Sequence, residues 1–225
     1  MSKVIDLTLP IKDHWRWFAH AMRVHDHDRG DLFTHSYMVL NMHGFTHVDA
    51  PKHYLAKGAT IEHVPLGQWY GEAVVVNLTH IGARQAVTAQ DLEQCGGSVR
   101  PGDIALLRTD WPLKCDWESM DFWGEGPYVS KSACEWLIAK KVKTVGYDFM
   151  PDDVLRYQVL DPKRLESSTG PENTTHHELF PAGITVVEYL VNLHLITKPR
   201  VMFYALPLLI ERGDGSPVRA VAIED

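Results

Sequence analysis

Short stretches of hydrophobic and β-branched residues recur along the whole chain and predict a protein with more strand than helix. Each stretch has the length and composition of a strand, and turn-forming residues separate it from the next. The predicted strands cover residues 4–11, 73–78, 103–108, 144–149, 200–209 and 217–223. Pro207 cannot donate to a sheet, so it indicates a bulge or an edge position in the fifth strand. The Gly-Asp-Gly sequence at 213–215 predicts a hairpin turn between the last two strands.

The N-terminal region has a mixed pattern. Residues 35–43 alternate, with Met38, Leu40 and Met42 on one side, and they predict a half-buried strand with one apolar face. Residues 12–32 are polar and rich in aromatic, Arg and His residues, which indicates a helix with a loop, or a lid.

Two helices are predicted from their N-terminal caps. Thr88 precedes an acidic first turn, and a Gly-Gly pair at 96–97 ends this short helix. Ser132 and Glu135 have the spacing of a capping box, and the helix that they begin extends to about Lys141. The whole pattern predicts a single α/β (α+β) domain with a mixed, β-rich sheet and flanking helices.

Charge and composition exclude several classes of partner. The 225 residues include 22 basic and 29 acidic ones, for a net charge of −7, and no Lys/Arg cluster occurs, so nucleic acid is excluded. No apolar run reaches the roughly 20 residues that span a bilayer. The start MSKVIDLTLP lacks the apolar core of a signal peptide, and the three cysteines form no CxxC pair. We therefore expect a cytoplasmic protein with no membrane partner.

Histidine is unusually frequent and is clustered. The chain has 13 histidines, ten of them before residue 81. His43, His47, Asp49 and His53 are separated by even intervals, which place side chains on one face of an extended chain. Two imidazoles and a carboxylate without a nearby cysteine suit Zn²⁺ or Mn²⁺. A His-rich surface strand is the alternative for this segment, and the remaining N-terminal histidines are interpreted as ordinary polar residues.

The same segment carries a resemblance to a known family. HGFTHVDAPKH resembles the HxGTHxDxPxH signature of the cyclase-type metal-dependent hydrolases, which include bacterial kynurenine formamidases and isatin hydrolase, although Phe45 replaces the signature glycine. VIDLTLPI, GDIALLRTDW and ALPLLIERGDGSPVRAVAI resemble the family's first strand, central strand and C-terminal hairpin. Family members also carry a His followed twelve residues later by a Glu. His176 and Glu188 have this separation, which favours His176 over His177.

The resemblance implies a fold, a site and a cofactor. The implied fold is the family's swivelling β/β/α domain over residues 1–225, usually in homodimers or homotetramers. The implied ligands of one or two divalent ions, Zn²⁺ or Mn²⁺, are His43, His47, Asp49, His176 and Glu188. Asp49 and Glu188 would bridge two ions, and His53 would be the catalytic acid/base residue.

These residues predict a hydrolase. A divalent ion lowers the pKa of a bound water to about 7 and polarises a carbonyl. His53 can pass a proton to the leaving nitrogen. We therefore predict an arylformamidase-like amidohydrolase that cleaves an amide-type C–N bond, a formamide or a cyclic amide, of a small-molecule substrate. Trp15, Trp17 and Phe18 are candidates for an aromatic wall, with core or interface packing as the alternative. Phe45, beside the ligands, is a further candidate for shaping the pocket.

Other functions stay open on the sequence alone. A lactone hydrolase would use the same chemistry. The replacement at Phe45 leaves room for a family member that binds metal or a small molecule without turnover. His25 and His27 in a β-rich chain suggest a cupin-like oxygenase, but no Glu follows at the spacing that this motif needs. The many aromatic residues, which are favoured at interfaces, also predict a homo-oligomer.

Overall fold

Nine of the strands form one mixed sheet in the computed structural model, which describes residues 2–157 and 174–225. The order of the strands across this main sheet is β1-β13-β11-β5-β7-β9-β10-β4-β12, while β2 pairs with β3 and β6 pairs with β8 in two small sheets. The strands are β1 (Lys3–Asp6), β2 (Ala19–His25), β3 (His35–Leu40), β4 (His47–Asp49), β5 (Tyr70–Asn77), β6 (Ala86–Val87), β7 (Ile104–Arg108), β8 (Tyr128–Val129), β9 (Thr144–Tyr147), β10 (Thr185–Glu188), β11 (Arg200–Tyr204), β12 (Gly215–Pro217) and β13 (Val221–Glu224).

The centre of the main sheet is parallel and buried on both faces. Strands β5, β7, β9 and β10 run in the same direction, and the strands outside them pair antiparallel. In β7, Ala105 and Leu107 belong to one hydrophobic cluster, whereas Ile104 and Leu106 belong to another. Because successive side chains of a strand point to opposite faces, a strand between two clusters must be hydrophobic throughout. The predicted mixed, β-rich α/β fold is confirmed.

The C-terminal part of the sheet differs from the predicted hairpin. Strands β11 and β13 pair antiparallel, but β12 lies between them in the chain and pairs with β4 near the other end of the sheet. Residues 218–220 alone separate β12 from β13, so the sheet curls until its two ends are close. Residues 213–215 are therefore not a hairpin turn, and Pro207 lies outside β11. Strand β10 is only four residues long and was not predicted.

The predicted N-terminal helix was also wrong, because Ala19–His25 within residues 12–32 is a strand that pairs with β3. A lid stays a prediction for this segment. We call this two-stranded sheet the ribbon (Ala19–His25 and His35–Leu40). The consecutive residues Tyr37, Met38 and Val39 are 56%, 52% and 61% exposed. Both faces of β3 are therefore open in a single chain, instead of one apolar face being buried.

The helices are short and capped by polar side chains. They are α1 (Ala89–Cys95), α2 (Trp111–Lys114), α3 (Met120–Gly124), α4 (Lys131–Lys140) and α5 (Thr174–Leu179), and none of the described helices is long and apolar enough to cross a membrane. Thr88 is the N-cap of α1, as predicted, and with Asp91 it forms a capping box. The predicted cap of α4 is wrong by two residues, because the N-cap is Ser130. The Ser132 hydroxyl instead accepts from the backbone N–H of Ala89 at 3.2 Å and so joins the two helices.

Candidate metal centre and active site

Pairing of β4 with β10 builds the centre of the site. His47 and Asp49 point to the same face of β4, whereas Val48 packs in the hydrophobic cluster on the other face. In the antiparallel pair, Glu188 lies directly opposite His47. Because opposite residues share a face, Glu188 joins His47 and Asp49. These three polar side chains are only 1–2% exposed.

His43 and His53 reach the same point from outside the strand. His43 lies in a turn after β3, and His53 lies in the 3-10 helix Pro51–His53. The prediction of one extended chain through all four residues is therefore wrong, and the even spacing applies only to His47 and Asp49. The ring of His43 lies against Gly215, where an added Cβ would be 2.7 Å from His43 Cε1.

Asp49 is the centre of the cluster. Its Oδ1 lies 2.7 Å from His43 Nδ1 and 3.1 Å from His47 Nε2. Its Oδ2 lies 3.1 Å from Nε2 of His176, which α5 places 2% exposed, while the neighbouring His177 is on the surface. Both oxygens of one buried carboxylate thus face imidazole nitrogens from three separate segments.

Glu188 completes a donor set that suits a divalent cation. Glu188 Oε1 is buried without a hydrogen bond within the described ranges, although His176 Nε2 is 3.3 Å away. Burying a carboxylate without a counter-charge is costly, so two buried carboxylates favour a cation between them. Among the described residues, ligand atoms within 4.8 Å of one another occur in three sets, namely His43/His47/Asp49, Asp49/His53/His176 and His43/His53/Asp214. Imidazole and carboxylate without thiolate match Zn²⁺ or Mn²⁺.

In each of His43, His47 and His176, the ring nitrogen that points away from Asp49 lies close to an oxygen acceptor. His47 Nδ1 is 2.9 Å from the Phe45 carbonyl oxygen, so its Nε2 faces Asp49 and Glu188. His43 Nε2 is 2.9 Å from Asp214 Oδ2. His176 Nδ1 is 2.5 Å from Asp152 Oδ2. Oxygen acceptors of this kind fix the tautomer and the ring orientation of metal-binding histidines.

The carboxylates dominate the electrostatics of the site. Burial opposes a charged His43, but its contacts with Asp49 and Asp214 raise the pKa of His43 to about 9. Burial opposes a charged His176 too, yet Asp152 and Asp49 raise the pKa of His176 well above its usual value. Burial likewise opposes a charged Asp49, but the charge of His47 and the hydrogen bonds from the other rings hold the pKa of Asp49 well below its usual value.

His53 differs from the other histidines of the site. Its ring stacks on His43 with centroids 3.7 Å apart, and its side chain is 28% exposed. Its Nδ1 is 3.9 Å from the Asp214 carboxylate, which is beyond a hydrogen bond. Burial, aided by the charges of His43 and His176, lowers the pKa of His53 to about 4. The ring is therefore neutral near pH 7 and free to accept a proton.

Aromatic rings line the cavity above these polar groups. The cavity has a volume of about 480 Å³, and its aromatic lining residues are Trp15, Trp17, Tyr54 and Tyr189. Trp17 is 6% exposed and stands 5.3 Å from the Tyr189 ring, whereas Trp15 is 49% exposed. Phe18 is not among the residues that line the cavity and is 63% exposed. The structure thus places two of the three candidate wall residues at the site.

Phe45 lies behind Trp17, on the side away from the cavity. It is fully buried, does not line the cavity and packs against Trp17 with centroids 5.0 Å apart. Its φ of 61° lies in the left-handed region, which explains why the family signature has glycine at this position. A pocket-lining role for Phe45 does not agree with its burial. Its carbonyl holds His47, and its ring supports Trp17.

Several residues of the site were not found from the sequence, and four of them contact the histidines or Trp17. They are Asp152, Asp214, Tyr54 and Tyr189. Asp214 was interpreted only as a turn residue. A signal for Asp152 did exist, because it follows the carboxyl end of the parallel strand β9, the usual place for functional side chains in such sheets. The two tyrosines carry no local motif.

Comparison with known proteins agrees with this geometry. The family model described as "Putative cyclase" matches residues 5–154. Kynurenine formamidase of Bacillus cereus is 27% identical over 184 residues, which are 82% of this chain and 77% of that protein. Kynurenine formamidase of Bordetella petrii is 26% identical over 224 residues, 99% of this chain and 92% of that protein. The solved structure of isatin hydrolase A from Ralstonia solanacearum has the same fold, with a TM-score of 0.81, 22% identity and coverage of 100% of this chain and 92% of that one.

Proposed function

We infer that this chain, which belongs to the putative cyclase family, is a metal-dependent hydrolase that cleaves an amide-type C–N bond of a small aromatic compound. The observation that carries this function is the convergence of three imidazoles and two buried carboxylates at the base of an aromatic-lined cavity. The similarity to kynurenine formamidases over most of the chain supports a formamide or a cyclic amide as the substrate.

The geometry supports a set of ligand roles. We propose that His43, His47 and Asp49 hold one divalent ion, Zn²⁺ or Mn²⁺, and that His176 and Glu188 share Asp49 with a second where two are bound. The bound ion supplies Lewis-acid polarisation of the carbonyl and acidification of a water.

The remaining residues bind the substrate and move protons. Trp15, Trp17 and Tyr189 line the cavity and give it an aromatic surface against which a planar substrate can pack. His53 lines the cavity and lies outside the Asp49 hydrogen bonds, so its ring can accept a proton from the attacking water. The same proton then passes from His53 to the leaving nitrogen, which departs as an amine.

The experiment that tests this function measures metal content and turnover together. We expect the purified protein to contain one or two divalent ions per chain and to hydrolyse formanilide or isatin. Dialysis against a chelator should abolish turnover, and added Zn²⁺ or Mn²⁺ should restore it. Turnover of dihydrocoumarin but of neither amide would instead identify a lactone hydrolase. Bound metal with no turnover of any of the three compounds would identify a non-catalytic binder.

The ribbon supports a homodimeric assembly, which we propose for this chain. A two-stranded ribbon is at best marginally stable alone, so the open faces of β3 need a partner. Met38 and Leu40 of the ribbon line an apolar groove together with Leu206 and Leu208, which are 45% and 62% exposed. The ribbon thus forms one wall of the groove. A second copy presents the same pair of features, so a two-fold axis lets each ribbon cover the groove of the other chain.

Sedimentation velocity at micromolar concentration tests the dimer. We expect a particle of twice the chain mass of 25.5 kDa. Met38→Glu places a charge on the face of the ribbon that lines the groove and should weaken the dimer by at least about tenfold, because a buried unpaired charge is costly. Leu66→Glu is the matched control, since Leu66 is 59% exposed and is not among the residues that line the groove, and it should leave the mass unchanged. A wild-type particle of one chain mass would refute the dimer.

We also propose that the protein functions in the cytoplasm. Cys95, Cys115 and Cys134 are all free thiols, which fits a reducing compartment.

A further inference from the structure

We propose that Asp152 is a positioning residue that holds His176 in the one tautomer and orientation in which it can bind a metal ion. This inference rests on the proposed metal site and assigns a role to a carboxylate outside the ligand set.

Both oxygens of Asp152 are committed to neighbouring groups. Asp152 is fully buried. Its Oδ2 accepts a hydrogen bond of 2.5 Å from His176 Nδ1. Its Oδ1 accepts from the backbone N–H of Thr175 at 2.7 Å and from the Thr175 hydroxyl at 2.8 Å. The carboxylate therefore connects the segment after β9 to the helix α5 that carries His176.

The hydrogen bond from His176 to Asp152 decides which nitrogen of the His176 ring faces Asp49 and Glu188. With the proton on Nδ1, the lone pair of His176 is on Nε2. That atom is 3.1 Å from Asp49 Oδ2 and 3.3 Å from Glu188 Oε1. The Tyr54 ring stacks on His176 with centroids 4.2 Å apart and a 16° angle, which restricts rotation of the imidazole. Carboxylate–histidine contacts of this kind typically contribute 10–100-fold to metal affinity.

The substitution Asp152→Asn distinguishes two roles of Asp152, which are setting the tautomer of His176 and merely anchoring α5. The Thr175 backbone N–H is always a donor, so the amide oxygen of an asparagine must stay with it. The amide NH₂ group then faces His176 Nδ1 and requires that atom to be an acceptor. The proton moves to Nε2, and no lone pair remains there for a metal ion. If Asp152 only anchored α5, asparagine would serve nearly as well as aspartate.

The test measures metal affinity by competition with a chromophoric chelator, together with the ligand-field spectrum of the Co²⁺-loaded protein. We expect Asp152→Asn to lower the affinity for Zn²⁺ by about 10–100-fold and to change the Co²⁺ spectrum. Asp153→Asn is the matched control, because it changes the neighbouring carboxylate, which pairs with Arg156 and is 41% exposed, and its affinity should stay within about threefold of wild type. Equal affinities of wild type and Asp152→Asn would overturn the proposal.

A measurement on the wild-type protein makes the test independent of variant folding. In ¹⁵N-labelled, metal-loaded protein, the His176 ring should show a protonated Nδ1 with a far-downfield proton. A proton on Nε2 would refute the role of Asp152 even if Asp152→Asn failed to fold. Failure of the proposed function is a separate result, since it would appear as wild-type protein that binds no divalent ion or turns over no amide.

Discussion

Asp49→Asn is expected to remove bound metal and to reduce turnover to background. Asp49 Oδ1 and Oδ2 face three imidazole rings, so the substitution removes the charge at the centre of the ligand set while keeping its shape. The loss of metal affinity should exceed the 10–100-fold that is typical for a residue acting through a ligand. Metal analysis after gel filtration and turnover of formanilide would measure both effects.

The surface carboxylate Asp116 provides the control. Asp116→Asn changes the net charge by the same amount at an exposed position and should alter neither quantity. Circular dichroism would verify that both variants are folded. Stoichiometric metal in Asp49→Asn would show that the ion binds elsewhere, and the assignment of the β4 residues as ligands would then be wrong.

His53→Ala is expected to keep the metal and to lower kcat by about 10²–10⁴-fold, the usual contribution of a positioned acid/base group. His53 lies outside the Asp49 hydrogen bonds and stacks on His43 at the cavity, where it can exchange a proton with a water or the substrate. Bound metal and kcat would be measured on the same preparation.

Two further substitutions make this prediction sharper. His53→Phe keeps an aromatic ring stacked against His43, so a loss of kcat in this variant comes from the missing proton transfer and not from movement of His43. His63→Ala removes a histidine whose side chain is 73% exposed and should change nothing. Loss of metal in His53→Phe would make His53 a ligand. Near-normal turnover in both His53 variants would place the proton shuttle elsewhere, with His177 the next candidate.

Asp152 and Asp214, which contact His176 and His43, differ in burial. We therefore expect Asp152 to hold its histidine more firmly than Asp214 does. Asp152 is fully buried, whereas the side chain of Asp214 is 45% exposed. Solvent weakens the contact between Asp214 and His43 because water screens the charge and competes for the hydrogen bond. The His176 side of the site is therefore the more rigid, and the His43 side is open to the cavity and to solvent.

The sequence by itself determined the parts of the site that depend on neighbours along the chain. His47 and Asp49 share a face because strand side chains alternate, and this holds wherever the strand is placed. The capping box at Thr88 depends on residues three positions apart. The resemblance of the segment from His43 to His53 to a family signature was enough to indicate metal-dependent hydrolysis.

Only the tertiary structure decided which distant groups meet this segment. Glu188 reaches His47 because β10 pairs with β4, a contact between remote parts of the chain that no local pattern encodes. Asp152 and Asp214 join the site in the same way, from the end of β9 and from the segment before β12. Burial is decided at this level too, because the space around a side chain depends on the elements packed against it. Thus Phe45 is a support behind Trp17 and not part of the cavity wall, and the alternating residues of β3 are exposed in a ribbon.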